Sequence, residues 1–225
     1  MSKTNQPKEG FKFFEPNNFN EDQVIDRSAQ FFHELNGRRS IREFSDKKIP
    51  ERVIENVLKT ASTAPSGAHK QPWFFAVVTS VEMKKKIREA AEKEEYENYN
   101  GRMSDEWLKD LEKFDANWKN PFLQIAPALI VIFKQTHEDT IEGKAKNYYV
   151  TESVGIAAGM LISAIHHAAL VTLTHTPSPL NFLSKLLGRP KNEKPYLLLP
   201  VGFPSKDAQV PLLKRKDLTE VMKEY

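Results

Sequence analysis

Residues 148–169, YYVTESVGIAAGMLISAIHHAA, form a helical stretch that is small and apolar on almost every side. A helix without a polar face has to be enclosed, so this segment demands layers around it, and it is expected to be central and buried. The chain supplies those layers as short apolar strands: FFAVVT at 74–79, APALIVIF at 126–133, a strand opening LVTLTHT from residue 170, and YLLLPVGFP at 196–204. Helices are predicted over 21–36, where Gly37 suits a left-handed C-terminal position, over 50–62, where Pro50 and Glu51 open an apolar face, over 81–95, and over 181–188. Helices interspersed with short strands imply an α+β layer architecture, with strand order left open.

The chain of 225 residues is long enough for one sizeable core and short for two, so a single domain over 1–225 is expected. Residues 1–20 read as an extended arm whose Phe11, Phe13, Phe14 and Phe19 need a surface to lie against, as on a partner subunit. Lys and Arg total 33 against 30 Asp and Glu, interleaved along the chain, which gives no basic block for nucleic acid. The absence of cysteine excludes disulfides, thiolate nucleophiles and zinc–thiolate sites. The N-terminus lacks a signal-like apolar core and no uninterrupted apolar run reaches the ~18 residues of a membrane span, so a cytoplasmic protein is expected.

Four short clusters carry chemistry. RRSIR at 38–42 places Arg38, Arg39, Arg42 and the Ser40 hydroxyl between two helices, where forked guanidinium donors can grip a phosphate; a solvated basic turn is the plainer reading. KRK at 214–216 makes a second half of an anion site conceivable. In TAPSGAHKQPW, residues 63–73, two prolines force extended backbone before each of them and leave Ser66, Gly67 and Ala68 as a tight stretch of small residues. Such a turn either punctuates the chain or lets backbone approach a ligand. Thr174, His175 and Thr176 follow the third strand, where α/β sheets commonly bind ligands. The histidines show no metal-ligand spacing, so no metal is expected, and GxGxxG, P-loop and GxSxG motifs are absent. Residues 94–120 combine Tyr, Trp and many charges with a thin apolar face, which suits a lid.

Together RRSIREFS, TAPSGAHKQPW, EEYENY, APALIVIF, VTLTHTP, LLGRP and VPLLKRK resemble the iodotyrosine deiodinase branch of the nitroreductase-like flavoproteins, in the right order from about residue 30 to 218. The resemblance implies a nitroreductase-like α+β fold with a central mixed sheet surrounded by helices, and an intertwined homodimer that binds FMN at its interface. It implies FMN-dependent reductive dehalogenation of mono- and di-iodotyrosine and other halotyrosines, with an external electron donor. The alternatives are a broader nitro or quinone reductase and a flavin-binding protein without turnover. By the same resemblance Arg38, Arg39, Ser40, Arg42 and Arg215 hold the flavin phosphate and ribityl chain, and Pro65, Ser66 and Gly67 pass along the flavin ring. Thr174, His175 and Thr176 lie beside its pyrimidine and N5, where the Thr176 hydroxyl favours single-electron chemistry. The Ala68 N–H is implied to bind the substrate phenolate, and Glu95 and Tyr99 its ammonium and carboxylate. The family also places a lysine near the lid's end. An ungapped count puts Asn120 there with Lys119 one position early, so either the chain shifts and Lys119 serves, or the carboxylate lacks that partner.

Overall fold

The computed structural model describes residues 6–225; residues 1–5, the start of the expected arm, lie outside the described residues. Residues up to Gly37 and residues from Arg38 onward form two separate units. The first holds the arm and α1 (Glu21–Asn36). Asn20 caps that helix through a reciprocal pair with Gln23, in which Asn20 Oδ1 accepts from the Gln23 N–H at 2.9 Å and Gln23 Oε1 accepts from the Asn20 N–H at 3.0 Å. Gly37 closes α1 with φ −70°, in the right-handed region instead of the left-handed one expected. Arg27 stacks over the Phe19 ring at 4.4 Å, and Phe11, Phe13 and Phe14 are exposed.

The second unit is built on one sheet. In chain order it runs α2 (Glu51–Ser62), β1 (Trp73–Val78), α3 (Val81–Glu97), α4 (Asp105–Glu112), α5 (Phe122–Ile125), β2 (Ala128–Gln135), β3 (His137–Thr140) and β4 (Gly143–Lys146). It continues with α6 (Val150–His167), β5 (Val171–Thr172), α7 (Phe182–Leu186), β6 (Glu193–Gly202) and α8 (Leu218–Val221). The sheet order is β1-β2-β6-β5, antiparallel in every ladder. The expected mixed character is confined, among the described residues, to the isolated parallel bridge Ser40–Thr172. The hairpin β3–β4 occupies what the sequence reads as a polar loop.

Two core layers cover the sheet. Val57 and Ala61 of α2 and Val154, Ala157, Ala158, Leu161 and Ile165 of α6 pack with Ile130, Ile132, Leu199 and Val201. On the other side Ile87 and Ala91 of α3, Leu123 of α5 and Leu183 of α7 pack with Leu129, Val131, Phe133 and Leu198. A single chain therefore encloses helix α6 on one side only: Ile156 on its opposite face is 47% exposed. The α3 layer is also tied by buried Lys84, whose Nζ donates to the Ala126 carbonyl at 2.6 Å.

Strand β6 is central although it contains Pro195 and Pro200, and proline normally marks an edge. Pro195 sits at the register shift against Ile132/Phe133, where a ladder bond is missing anyway. Pro200 faces the place where the β5 ladder lapses after Thr172. The Thr172 hydroxyl compensates by donating to the Pro200 carbonyl at 2.7 Å, and pairing resumes at the His175–Leu198 bridge in unbroken register. The third strand is consequently shorter than the apolar run promised, and Leu173–Thr176 lie largely outside the ladder. No helix among the described residues is long and apolar enough to cross a membrane.

Gly202 ends β6 in tight quarters: a Cβ there would lie 2.6 Å from Pro127 Cδ and 3.1 Å from Phe44 Cδ1. Gly202→Ala should lower stability by about 1–3 kcal/mol, read from the urea midpoint. An unshifted midpoint would show that the contact relaxes freely.

Candidate active site

The segment after Gly37 runs along the edge of β5. Ser40 bridges Thr172, the Ile41 N–H donates to the Thr172 carbonyl at 3.2 Å, and Ile41 and Phe44 are buried. With those side chains turned into the core, Arg38, Arg39, Ser40 and Arg42 are left to line cavities. The chain beyond β6 is strapped to the same segment: Ser45 N–H to Phe203 O at 2.9 Å, Ser205 N–H to Glu43 O at 3.0 Å, and Gln209 N–H to Glu43 Oε2 at 2.6 Å. The strap delivers Lys214 and Arg215 to the arginines, and Arg215 Nη2 donates to the Arg38 carbonyl at 3.0 Å. Arg39 Nη2 donates to the Pro211 carbonyl at 2.5 Å, so Arg39 anchors the strap as well as facing the cavity.

These residues enclose a cavity of about 270 Å3 lined by Arg38, Arg39, Ser40, Arg42, Lys214 and Arg215 among others, and none of its lining residues is acidic. Burial, then the charges of Arg215 and Arg39, hold the Arg38 guanidinium below its ordinary range. Like charges gathered at a partly dry site with no carboxylate among the lining residues are a receptor for a compact polyanion such as a phosphate.

Arg42 also lines a second cavity, of about 670 Å3, with Glu95, Tyr99, Lys119, Asn120, Thr174, His175 and Thr176. Glu95 lies in the last turn of α3 and Tyr99 follows in the π-helical turn Asn98–Arg102, so the helix widens at the point where both reach the cavity. Burial raises the pKa of the Glu95 carboxyl, partly offset by a hydrogen bond from Asn98. Burial and the charge of Glu95 raise that of the Tyr99 phenol, while Arg42 opposes them. The far wall comes from α4 and its flanks: Met103, Trp107 and Leu111, four residues apart, all line the cavity. The sequence reading passed over these three and Phe114, which lines the arginine cavity, although their helical spacing was visible.

Asn120 is 4% exposed and largely committed within the protein: its N–H donates to Glu92 Oε1 at 2.7 Å and its Nδ2 to the Trp118 carbonyl at 3.1 Å. The Lys119 ammonium lies 5.3 Å from the Trp118 ring centroid.

The loop after α2 lines neither cavity, so one chain does not bring Pro65, Ser66, Gly67 and Ala68 to the residues above. Its backbone is unusual: Ala68 (φ 50°), His69 (φ 55°) and Gln71 (φ 47°) are all left-handed, and so is Tyr149 (φ 48°) against it. A Cβ on Gly67 would lie 2.9 Å from the Tyr149 ring. Between Gly67 and Gln71 the other amides are bound: Gly67 to Ser153 Oγ, His69 to Ser66 O, Lys70 to Gly67 O, and Gln71 to Ser66 Oγ. The Ala68 N–H alone in that stretch has no acceptor among the described residues. Strained, small and exposed backbone holding a spare donor is a ligand-facing arrangement.

The chain belongs to the nitroreductase family, whose sequence model matches residues 35–203. Within it, the chain is 57% identical over 208 residues to an iodotyrosine deiodinase of Haliscomenobacter hydrossis, covering 92% of this chain and 94% of that protein. It is 49% identical over 213 residues to human iodotyrosine deiodinase 1, covering 93% and 73%. A crystal structure of oxidized iodotyrosine deiodinase bound to FMN and 3-iodo-L-tyrosine superposes with a TM-score of 0.73 at 28% identity, covering 83% of this chain and 96% of that one.

His175 is buried against Phe122, with ring centroids 5.4 Å apart, and its Nε2 has no hydrogen-bond partner among the described residues. Burial, then the charge of Arg42, lowers its pKa from 6.5 to about 3. Between those two values the unfolded chain binds a proton that the folded one refuses, so stability should fall as the pH drops from 6.5 toward 3. His175→Thr should remove that part of the acid slope, measured as melting temperature against pH. Parallel slopes in both proteins would assign the acid sensitivity elsewhere.

Proposed function

We propose that this chain is an FMN-dependent reductive dehalogenase of iodotyrosine and related halotyrosines, acting as a homodimer. The observation that carries the reading is the pair of cavities joined at Arg42. One is rich in arginine and has no acidic lining; the other is lined by Glu95, Tyr99, Lys119 and Thr174–Thr176. Their residues fit FMN and an amino-acid substrate, in a chain that matches iodotyrosine deiodinases over nearly its whole length.

Arg38, Arg39 and Arg215 hold the cofactor phosphate through charge-assisted donors, with Ser40 beside them, and Arg42 spans both cavities. FMN, when bound, supplies the electron pair that replaces a carbon–halogen bond with carbon–hydrogen, a proton being taken up and halide released. Thr174, His175 and Thr176 lie along the flavin, and the Thr176 hydroxyl is assigned to its N5. Glu95 receives the substrate ammonium, whose charge favours the ionised carboxylate that burial disfavours. Tyr99 completes the contact with the zwitterion. Lys119 receives the substrate carboxylate, because it carries the matching charge and the Asn120 N–H and one of its two Nδ2 hydrogens are already bonded within the protein. Met103, Trp107 and Leu111 cover the aromatic ring. The spare Ala68 N–H meets the phenolate, and Pro65, Ser66 and Gly67 pass the flavin, when this loop is contributed by a second copy of the chain. That sharing is the reason for the dimer, and a second copy is also what the open face of α6 around Ile156 calls for. The reductant that recharges the flavin is an external donor.

The deciding experiment is anaerobic: titrate the reduced, FMN-loaded protein with 3-iodo-L-tyrosine while following flavin absorbance and free iodide. Stoichiometric iodide with flavin oxidation is expected. Reoxidation by nitroaromatics with no iodide would indicate a general nitro or quinone reductase, and neither response a flavin-binding protein. The double change Arg38→Ala with Arg42→Ala should release flavin on gel filtration; retained colour would refute the phosphate assignment.

Lys119→Ala should raise the Kd for iodotyrosine by about tenfold or more, as for the loss of a charge-assisted bond. Binding of 2-iodophenol, which lacks the zwitterion, should be unchanged. Equal effects on both ligands would remove Lys119 from the carboxylate site.

A further inference from the structure

Neither cavity is lined by Glu92, yet this residue holds the two ends of the lid together. Its Oε1 accepts from Arg88 Nε at 2.8 Å, within α3, and from the Asn120 N–H at 2.7 Å, across the whole intervening segment. Arg88 extends the contact, its Nη1 donating to Gln124 Oε1 of α5 at 3.3 Å. The Glu92 side chain is only 17% exposed, so its bonds are largely shielded from water. Around this carboxylate the Tyr96 ring meets the Trp118 ring edge-on at 5.4 Å, Lys119 N–H donates to Asn117 Oδ1 at 2.9 Å, and Leu123 N–H donates to the Asn120 carbonyl at 3.1 Å. Residue 120 is thus fixed from both sides, to α3 through Glu92 and to α5 through Leu123.

We infer that Glu92 is a positioning residue: by clamping the Asn120 amide to α3 one turn before Glu95, it sets the spacing between Glu95 and Lys119, and so the fit of the site to an amino-acid zwitterion. The inference rests on the proposed function for the identity of the ligand, and on the geometry for the clamp. Glu95 lies on the helix that carries Glu92, and Lys119 is adjacent to the clamped amide, so the two groups that read opposite ends of the zwitterion are linked through one carboxylate. Without it the lid's C-terminal end keeps no hydrogen bond to α3, only the Tyr96–Trp118 ring contact and its bond to α5, and Arg88 loses its carboxylate partner. A small shift of a charged ligand group is enough to cost binding, because charge-assisted bonds weaken steeply with distance and angle.

The test uses FMN-loaded Glu92→Ala and Glu92→Gln. Hydrogen exchange should quicken at Asn120 and through 98–119 in Glu92→Ala, while the β2 and α6 cores stay protected. The Kd for 3-iodo-L-tyrosine should rise about tenfold in that variant with 2-iodophenol binding unaltered. Glu92→Gln keeps an acceptor for the Asn120 N–H and should restore most of the affinity. Unchanged exchange across 98–119 overturns the clamp. Equal loss of both ligands, or no loss of iodotyrosine, overturns the positioning role. Failure of the wild-type protein to bind iodotyrosine overturns the substrate reading itself, and shows in the control before any variant is compared.

Discussion

Everything in the site hangs on how residues 38–45 are pinned between two other stretches of chain. Ile41 and Phe44 enter the core, Ser40 and Ile41 bond to Thr172, and Glu43 and Ser45 bond to the chain leaving β6. This gathers five cationic side chains, those of Arg38, Arg39, Arg42, Lys214 and Arg215, around one cavity, an arrangement that costs free energy through mutual repulsion and partial desolvation. The hydrogen-bonded backbone and the buried Ile41 and Phe44 oppose that repulsion, so the cluster stays assembled. Arg39 contributes to its own confinement by bonding Pro211, the residue through which the strap reaches Arg215.

The two cavities solve opposite electrostatic problems. In the smaller, none of the lining residues is acidic, and a dianion would match the gathered positive charge. In the larger, acid and base coexist: Glu95 is pushed toward its neutral form by burial, while Lys119 stands on the opposite end of the lid. A ligand carrying both a cation and an anion meets two sites of matching sign. Arg42 lines both spaces, so on the proposed function the cofactor phosphate and the amino-acid end of the substrate would be electrostatic neighbours.

Much of this was legible in the residues. The apolar runs 74–79 and 126–133 became β1 and β2 with shifts of one or two positions, because alternation and β-branched content mark strand interiors better than ends. The position of β6 at the sheet's centre was not legible, since Pro195 and Pro200 argue for an edge; only pairing with β2 and β5 shows that each proline falls where the ladder lacks a bond. The β3–β4 hairpin escaped notice because Gly143–Lys146 has little strand propensity and is supported by its partner strand. In the site, the arginines and the 174–176 triplet stood out in the sequence, the lid pair Glu95 and Tyr99 came only through the family resemblance, and each lines one or other cavity of a single chain. The lid's apolar wall was missed because its stripe is narrow, and Glu92 because nothing in a run of charged residues distinguishes the one that reaches 28 positions along the chain.

The loop against Tyr149 leaves little room for change. Gly67 has no space for a side chain, and its neighbours are held in left-handed backbone that bulkier or β-branched residues resist. The wall formed by Met103, Trp107 and Leu111 is the reverse: half-open side chains on and just before a short helix, belonging to neither core layer. New substrate preferences in a protein built this way would arise by exchanging residues on that helix. On the proposed function the loop would act as a fixed template, so that halogen position and ring size could drift while recognition of the phenolic oxygen did not.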